Sequence, residues 1–222
     1  YTTKDFFRQI PNALLARYFH ERELFTDLDF STMKETKPDS LFADWLELDE
    51  ATRNPLDAQF REIFYMSCEK GFKAIIDESL WQFENQENPE KTEPFIDSLS
   101  ELPNHYHRAM VTFLDHYDLW KGATRFYHAD TLSYWRKRKH MGHKPAAVDD
   151  DSIQQLSDLI RDYFHQTEGR GKNCTVEPFR RGERDYFFAY PEDYSQQSPE
   201  WVDGEFDNRP HNPAFEVVFI YS

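Results

Sequence analysis

The segment from residue 149 to residue 190, DDDSIQQLSDLIRDYFHQTEGRGKNCTVEPFRRGERDYFFAY, changes from a helical pattern to an extended one. Asp149–Asp151 supply a capping carboxylate and an acidic first turn, which favour a helix N-terminus, and Gly169 is placed to end that helix. Cys174–Phe179 and Asp185–Tyr190 are apolar and aromatic runs on either side of a polar turn. The segment therefore predicts one helix followed by an antiparallel β-hairpin.

The residues upstream of this segment have a helical pattern, because apolar side chains recur at steps of three and four. The pattern predicts helices over residues 5–23, 40–48 and 55–83, and the last of these is continuous for about eight turns. Pro11 is expected to break the first helix and to lie in the first turn of its second piece, since proline has no N–H to donate. Gly71 is expected to mark a kink in the longest helix.

The next stretch alternates between polar connectors and helical pattern. Residues 85–94 are polar and indicate a loop, and helical pattern returns over residues 103–117 and 118–139. Residues 141–148 contain glycine and proline, so we expect the boundary between two domains there.

The C-terminal stretch predicts a third strand after a long insertion. Residues 191–213 are polar and hold four prolines, and Ala214–Tyr221 is a β-branched and aromatic run. The fold class is therefore α+β, with a predominantly helical domain at 1–147 and a domain at 148–222 built from one helix and a small antiparallel sheet. An apolar strand at a sheet edge needs a cover, so we expect the natural polypeptide to continue past residue 222.

The composition excludes several classes of protein. The chain has 26 basic and 41 acidic residues, a formal charge of -15, which opposes uniform coating by nucleic acid or anionic lipid. Its 37 aromatic residues indicate a packed core, because disordered chains have few aromatics. No apolar run is long enough to span a bilayer, so we expect no membrane partner. The two cysteines, Cys68 and Cys174, form no disulfide-dense pattern; Cys68 is expected in the core, and a reducing, cytoplasmic location is favoured.

A basic stretch between residues 121 and 144 is the first candidate site. It carries seven Lys and Arg against one Asp, with aromatic residues among them, a pattern found on surfaces that bind phosphates and stack on bases. A solvated helix end, or an ion-paired partner for the many carboxylates, explains the same pattern. Arginines of the hairpin turn would extend the surface if they lay beside it. The candidate nucleic-acid-binding residues are Lys121, Arg125, Trp135, Arg136, Lys137, Arg138, Lys139, Lys144, Arg180, Arg181 and Arg184.

A metal site or catalytic site has weaker support. The chain has no glycine-rich phosphate loop, no nucleophile elbow and no cysteine signature, so we assign no catalytic residue and no cofactor. Histidines assembled across helices with Asp115, Asp118 or Asp130 would give a metal-dependent hydrolase, although their spacing along single helices does not make them converge. The histidines are His105, His107, His116, His128, His140 and His143.

Aromatic residues in the last third are the remaining candidate. Tyr186 and Phe188 share one face of the predicted strand while Phe187 lies on the other, so we expect the strand to be covered on both sides. We expect the aromatic residues of the insertion, around Trp201, to pack in the core or to form a lid over the sheet. If they were exposed instead, they would mark a surface that binds a partner.

We expect a non-enzymatic interaction or regulatory module of a larger intracellular protein or complex, with a protein partner. The first alternative is a nucleic-acid-binding protein that uses residues 121–144, and the second is the metal-dependent hydrolase. The oligomeric state does not follow from the sequence.

Overall fold

A computed structural model of the chain describes residues 1–132, 136, 144–202 and 204–221. It confirms an α+β fold that is rich in helix. The chain forms two compact units, Tyr1–Trp135 and Arg136–Ser222, here called unit 1 and unit 2. The predicted division into domains at residue 147 stays a prediction.

Unit 1 is helical throughout its described part, with short 3-10 turns in two of the connections. Its core is aromatic: Phe60 is fully buried, and the rings of Phe6 and Tyr18 each lie 4.8 Å from its centroid. The aromatic content of the sequence therefore goes largely into this core. The helices are α1 Thr3–Gln9, α2 Asn12–His20, α3 Asp39–Leu46, α4 Glu50–Met66, α5 Glu69–Asn85, α6 Thr92–Ser100, α7 His105–Asp115 and α8 Tyr117–Thr131.

The predicted break at Pro11 is confirmed, because α1 ends before it and α2 begins after it. Pro11 lies at the N-cap of α2, one position before the first turn in which it was predicted. Its extended backbone turns the chain between the two helices, and its carbonyl accepts a hydrogen bond from the Leu15 N–H.

The prediction of one continuous helix over residues 55–83 is wrong. The chain leaves helical conformation at Ser67 and Cys68, and the Cys68 thiol caps α5 by accepting a hydrogen bond from the Gly71 N–H at 3.4 Å. A Cβ on Gly71 would lie 2.0 Å from the Met66 carbonyl oxygen, so Gly71 permits a close approach between α4 and α5 and does not mark a kink. Cys68 is half-buried at this junction and is not the core residue that was predicted.

Two other helix boundaries differ from those predicted. Helix α6 begins at Thr92, inside the predicted loop, and it buries Phe95 and Leu99. Helix α8 ends at Thr131, earlier than the predicted end at residue 139, which lies outside the described residues.

Unit 2 places one helix on a three-stranded antiparallel sheet with the order β1-β2-β5. The helix buries Ile160 against Val176, Phe187 and Ala189 of the sheet. Tyr186 and Phe188, on the opposite face of β2, are also buried, which confirms that this strand is covered on both sides. The elements are α9 Asp150–Glu168, β1 Cys174–Arg181, β2 Arg184–Pro191, β3 Glu200–Val202, β4 Glu205–Asp207 and β5 Val217–Tyr221.

The ends of α9 are as the sequence predicts. The predicted β1–β2 hairpin is also present, but its strands extend to Arg181 and from Arg184, so that the turn is shorter than predicted. The Asp149 side chain accepts a hydrogen bond from the Ser152 N–H at 3.0 Å, and Gly169 ends the helix in the left-handed conformation with φ of 71°. The Glu192 N–H donates a hydrogen bond to the Asn173 carbonyl. Because backbone groups of an antiparallel strand point alternately to one neighbour and the other, the odd-numbered residues of β1 hydrogen-bond to β2 and the even-numbered ones point away from it. Pro178 therefore turns its ring nitrogen, which cannot donate, toward the outer edge of the sheet.

Candidate interaction site: the hairpin arm

Residues 192–214, which cover nearly all of the polar insertion predicted at residues 191–213, form a hairpin arm that continues the pairing of β2 with β5. Past the sheet, Glu192 pairs with Ala214 and Gln196 pairs with His211, and the arm ends in the antiparallel pair β3–β4. At roughly 3.3 Å per residue, the arm reaches about 30 Å from base to tip. Gly204 lies in the turn at the tip with φ of 80°.

The arm contains a β-bulge near its base. The Asp193 N–H donates to the Pro213 carbonyl at 2.7 Å, and Gln196 and His211 exchange two backbone hydrogen bonds at 2.9 and 3.0 Å. From Asp193 to Gln196 the first strand of the arm advances by three residues, whereas from Pro213 to His211 the second strand advances by only two. The first strand therefore holds one extra residue. Such a bulge bends a strand and increases its twist.

Arg170, just after α9, anchors the base of the arm. Its guanidinium carbon lies 3.8 Å from the ring centroid of Phe215 and 5.3 Å from that of Tyr194. Its nitrogens donate at 2.7 Å to Asp193 and at 2.7 Å to Glu168. The guanidinium beside Asp193 holds the pKa of that carboxyl below its usual range. The arm therefore starts from a fixed base.

The tip of the arm has one aromatic face and one acidic face. Trp201 and Phe206 are directly opposite each other, and their ring centroids lie 5.7 Å apart at an angle of 66°. Because side chains alternate along a strand, the carboxylates of Glu200, Glu205 and Asp207 lie on the other face, together with Val202. The aromatic face is not covered: Trp201 is 72% exposed and Phe206 is 59% exposed.

The prediction that these insertion aromatics are core is therefore wrong for Trp201 and Phe206, and it is also wrong for Tyr194, which is 51% exposed. The segment pairs with itself and projects from the sheet, and it does not fold back as a lid. The sequence signal that would have located the tip is the Asp203-Gly204 dipeptide between alternating apolar residues, a strong indicator of a two-residue hairpin turn.

The charge of the arm is negative. Residues 192–214 hold one arginine and six carboxylates, which is a formal charge of -5. The rest of unit 2 holds eleven basic and ten acidic residues, which is a formal charge of +1. Glu200 and Asp207 are cross-strand partners, and like charges in that position repel each other. Hydrogen bonds from the Arg209 side chain lower the pKa of Asp207 to about 2, so this carboxylate stays ionised.

The opposite end of the sheet is basic. The turn at Gly182 and Glu183 is flanked by Arg180, Arg181 and Arg184, and the Lys144 N–H donates to the Tyr221 hydroxyl at 3.0 Å. Tyr221 pairs with Asp185 in the sheet, so Lys144 and the turn arginines lie at the same end. We call Lys144, Arg180, Arg181 and Arg184 the basic end.

Part of the predicted nucleic-acid site is therefore brought together, and part is not. Lys121 and Arg125 lie on α8 in unit 1, where Lys121 forms an ion pair with Asp118 at 2.9 Å. Arg180 lies 3.8 Å from the buried carboxylate of Asp185, and Arg136 is exposed. The remaining predicted residues, Trp135, Lys137, Arg138 and Lys139, lie outside the described residues.

A shallow depression of about 530 Å³ runs along α4, lined by Asn54, Asp57, Ala58, Arg61, Glu62 and Tyr65. Its two carboxylates already have partners: Asp57 accepts hydrogen bonds from Tyr1 and Thr3, and Glu62 accepts one from the Trp120 ring N–H. Burial raises the pKa of Asp57, but hydrogen bonds from Thr3, Tyr1 and Arg61 outweigh it and lower that pKa overall. The lining thus offers no free acid or base for catalysis.

The histidines of the hydrolase hypothesis do not assemble a ligand set within the described ranges, where no three His, Cys, Asp or Glu side chains are placed to hold a metal ion. The His107 ring nitrogen lies 2.9 Å from the Asn104 side chain, and the His116 ring packs on Phe95. His140 and His143 lie outside the part of the chain that the structure describes.

Comparisons of the chain with protein-family models, with curated protein sequences and with solved structures give no match. Among the described helices, none is both long enough and apolar enough to cross a membrane.

Proposed function

We propose that the chain is a protein-interaction module that binds its partner through the tip of the hairpin arm. The exposure of Trp201, 72% on an arm whose base is fixed by Arg170, is the observation that carries this proposal. An exposed Trp is costly in water and is among the residues that contribute most at protein interfaces. An arm held at its base also loses less conformational freedom when it binds.

The structure offers a matched control surface in the same unit. Leu159 and Tyr163, one turn apart on the outer face of α9, are 68% and 57% exposed, close to the values for Trp201 and Phe206. These residues lie on the surface of a helix and not on a projecting element. A binding site at the tip must therefore respond to changes at Trp201 and Phe206 and not to changes at Leu159 and Tyr163.

Selection from a phage-displayed random peptide library tests the proposal with the full chain immobilised. Peptides that enrich on the wild type should also enrich on the L159S/Y163S variant and should fail to bind the W201S/F206S variant. All three proteins should give the same circular dichroism spectrum, since the substituted side chains are exposed. The absence of any enriched peptide, or enrichment that survives W201S/F206S, would contradict the proposal.

Binding of nucleic acid at the basic end is a second proposed function. Its supporting observation is that Lys144 lies at the same end of the sheet as Arg180, Arg181 and Arg184. Titration of labelled single-stranded DNA at about 50 mM salt should then give binding that weakens steeply by about 200 mM, because counterions are released. The K144E/R184E variant should abolish it, and no measurable binding at the lower salt concentration would rule this function out.

We place the module within a larger intracellular protein or complex. The low cysteine content supports this location, since extracellular domains of this size commonly carry disulfides.

A further inference from the structure

The basic end and the hairpin arm of unit 2 have opposite charges, and strand β2 connects them. Strand β2 begins at Arg184, beside the basic end, and it leads at Pro191 into the arm. The arm has a formal charge of -5, and its tip from residue 200 to residue 207 holds four carboxylates and no basic residue. The same polypeptide thus carries an acidic, aromatic projection and a basic surface.

The tip extends away from the basic end of its own chain. Eight residues of β2 separate the basic end from the base of the arm, which is about 26 Å at the rise of a strand, and the arm extends further in the chain direction. Its base is fixed by Arg170 through Asp193 and Phe215, which opposes folding back. A contact between the tip and a basic end must therefore join two copies of the chain.

The basic end also has the groups that an aromatic tip needs. Arg184 and Lys144 are exposed, and neither forms an ion pair with a described residue. The Arg180 side chain is 51% exposed and presents a planar guanidinium on which Trp201 can stack. Phe219 of β5, two residues before Tyr221, is 40% exposed and adds apolar surface near this end.

We propose that the chain associates head to tail, with the hairpin-arm tip of one copy docked on the basic end of the next copy. The proposal rests on the proposed protein-binding role of the tip and names its partner as a second copy. Trp201 and Phe206, on one face of the tip, provide the contact with Arg180 and Phe219 of the neighbouring copy, while Glu200 and Glu205, on the opposite face, add electrostatic attraction to its Lys144 and Arg184. Because the two surfaces differ, the contact is heterologous, and it builds open chains or closed rings of copies.

Sedimentation velocity over a range of protein concentrations tests this with the full chain. At about 50 mM salt the wild type should rise above its monomer mass of 26.7 kDa as concentration increases, and at about 500 mM salt the association should weaken because the charges are screened. The W201S/F206S variant should remain monomeric, and the exposed-residue control L159S/Y163S should associate like the wild type.

Charge exchange between the two surfaces makes the test specific. Either E200K/E205K or K144E/R184E alone should lower the association constant by about tenfold or more, since attraction becomes repulsion. An equimolar mixture of the two variants should associate again. The lysine tip of E200K/E205K is then opposite in charge to the glutamate end of K144E/R184E, and the acidic tip of K144E/R184E is opposite in charge to the basic end of E200K/E205K. The variant E84K/E90K, which reverses two exposed charges in unit 1, controls for the change in net charge.

A wild type that stays monomeric at low salt, or a mixture that does not recover association, would overturn the head-to-tail contact. If the peptide library still yields binders that depend on Trp201 and Phe206, the tip binds a different protein and the proposed function stands. If neither experiment depends on the tip, both proposals fail.

Discussion

Replacing Arg170 with Gln tests whether the hairpin arm is held at its base. The Arg170 side chain is only 21% exposed, and its guanidinium carbon lies 3.8 Å from the centre of the Phe215 ring. Arg170 donates to the carboxylates of Asp193 in the arm and of Glu168 at the end of α9. Losing the cation–π contact and the charged hydrogen bonds should destabilise the closed arm by about 2 kcal/mol. That is about a thirtyfold shift in the opening equilibrium.

Hydrogen exchange measured by mass spectrometry reports this opening directly. The amides of Gln196 and His211, which bond across the arm, should exchange about thirtyfold faster in R170Q, while those of β2 and α9 keep their rates. The matched control is R209Q, because Arg209 also pairs with an arm carboxylate but its side chain is 85% exposed and has no ring contact in the described residues. Equal exchange in R170Q and wild type would refute the claim that Arg170 anchors the arm.

Three further predictions concern unit 1. A Cβ on Gly122 would lie 2.1 Å from the buried Glu78 carboxylate, so Gly122→Ala should lower the free energy of unfolding by about 1 kcal/mol, because the overpacking cost exceeds the gain in helix propensity. In a Glu78→Ala background the same substitution should raise the free energy of unfolding. Denaturant titration measures both changes. Phe60→Ala should cost about 3–5 kcal/mol, because it empties the centre of the aromatic core, and a smaller loss would indicate a looser core. The Arg17 guanidinium lowers the pKa of Asp115, so this ion pair stabilises the folded state at pH values above the ordinary carboxyl pKa. That contribution is lost as the pH falls through the lowered pKa. Asp115→Asn should therefore flatten the acid side of a plot of Tm against pH, and an unchanged profile would contradict this prediction.

Local patterns predict the helix and the first hairpin of unit 2 and the outline of unit 1. The acidic cap at Asp149 and the end of α9 at Gly169 follow from chemistry within one helical turn, and the structure has both. The β1–β2 hairpin follows from the short turn between Arg181 and Arg184. These features depend on neighbouring residues, which is why single-sequence patterns find them.

The break between α4 and α5 is not visible in the pattern because apolar residues keep their helical spacing across it. The cap is a cysteine thiol, which is not among the preferred capping groups, and Gly71 is needed because a Cβ there would lie 2.0 Å from the Met66 carbonyl oxygen, which the spacing of apolar residues does not reveal. The pairing of the arm, in contrast, joins residues far apart in the chain, such as Glu192 and Ala214. Its prolines and polar residues hide that pairing, and only the Asp203-Gly204 turn indicates it.

The exposed tip could not be predicted from composition, because Trp201 and Phe206 are residue types that are mostly buried. Whether an aromatic side chain is core or surface depends on what packs against it. Here the cross-strand pairing of Trp201 with Phe206 places both rings on a projecting element. The basic end, in contrast, combines residues that the sequence had already singled out in two separate stretches.

Hydroxyl-radical footprinting of the tryptophans tests the central claim most directly, because residues of one type are compared within one molecule. Trp201 is 72% exposed, whereas Trp45 and Trp120 are 2% and 1% exposed. In dilute protein, Trp201 should be oxidised many times faster than Trp45 and Trp120. If Trp201 were protected to the same degree as those two residues, the tip would be covered within the chain, and the account of an exposed binding arm would be contradicted.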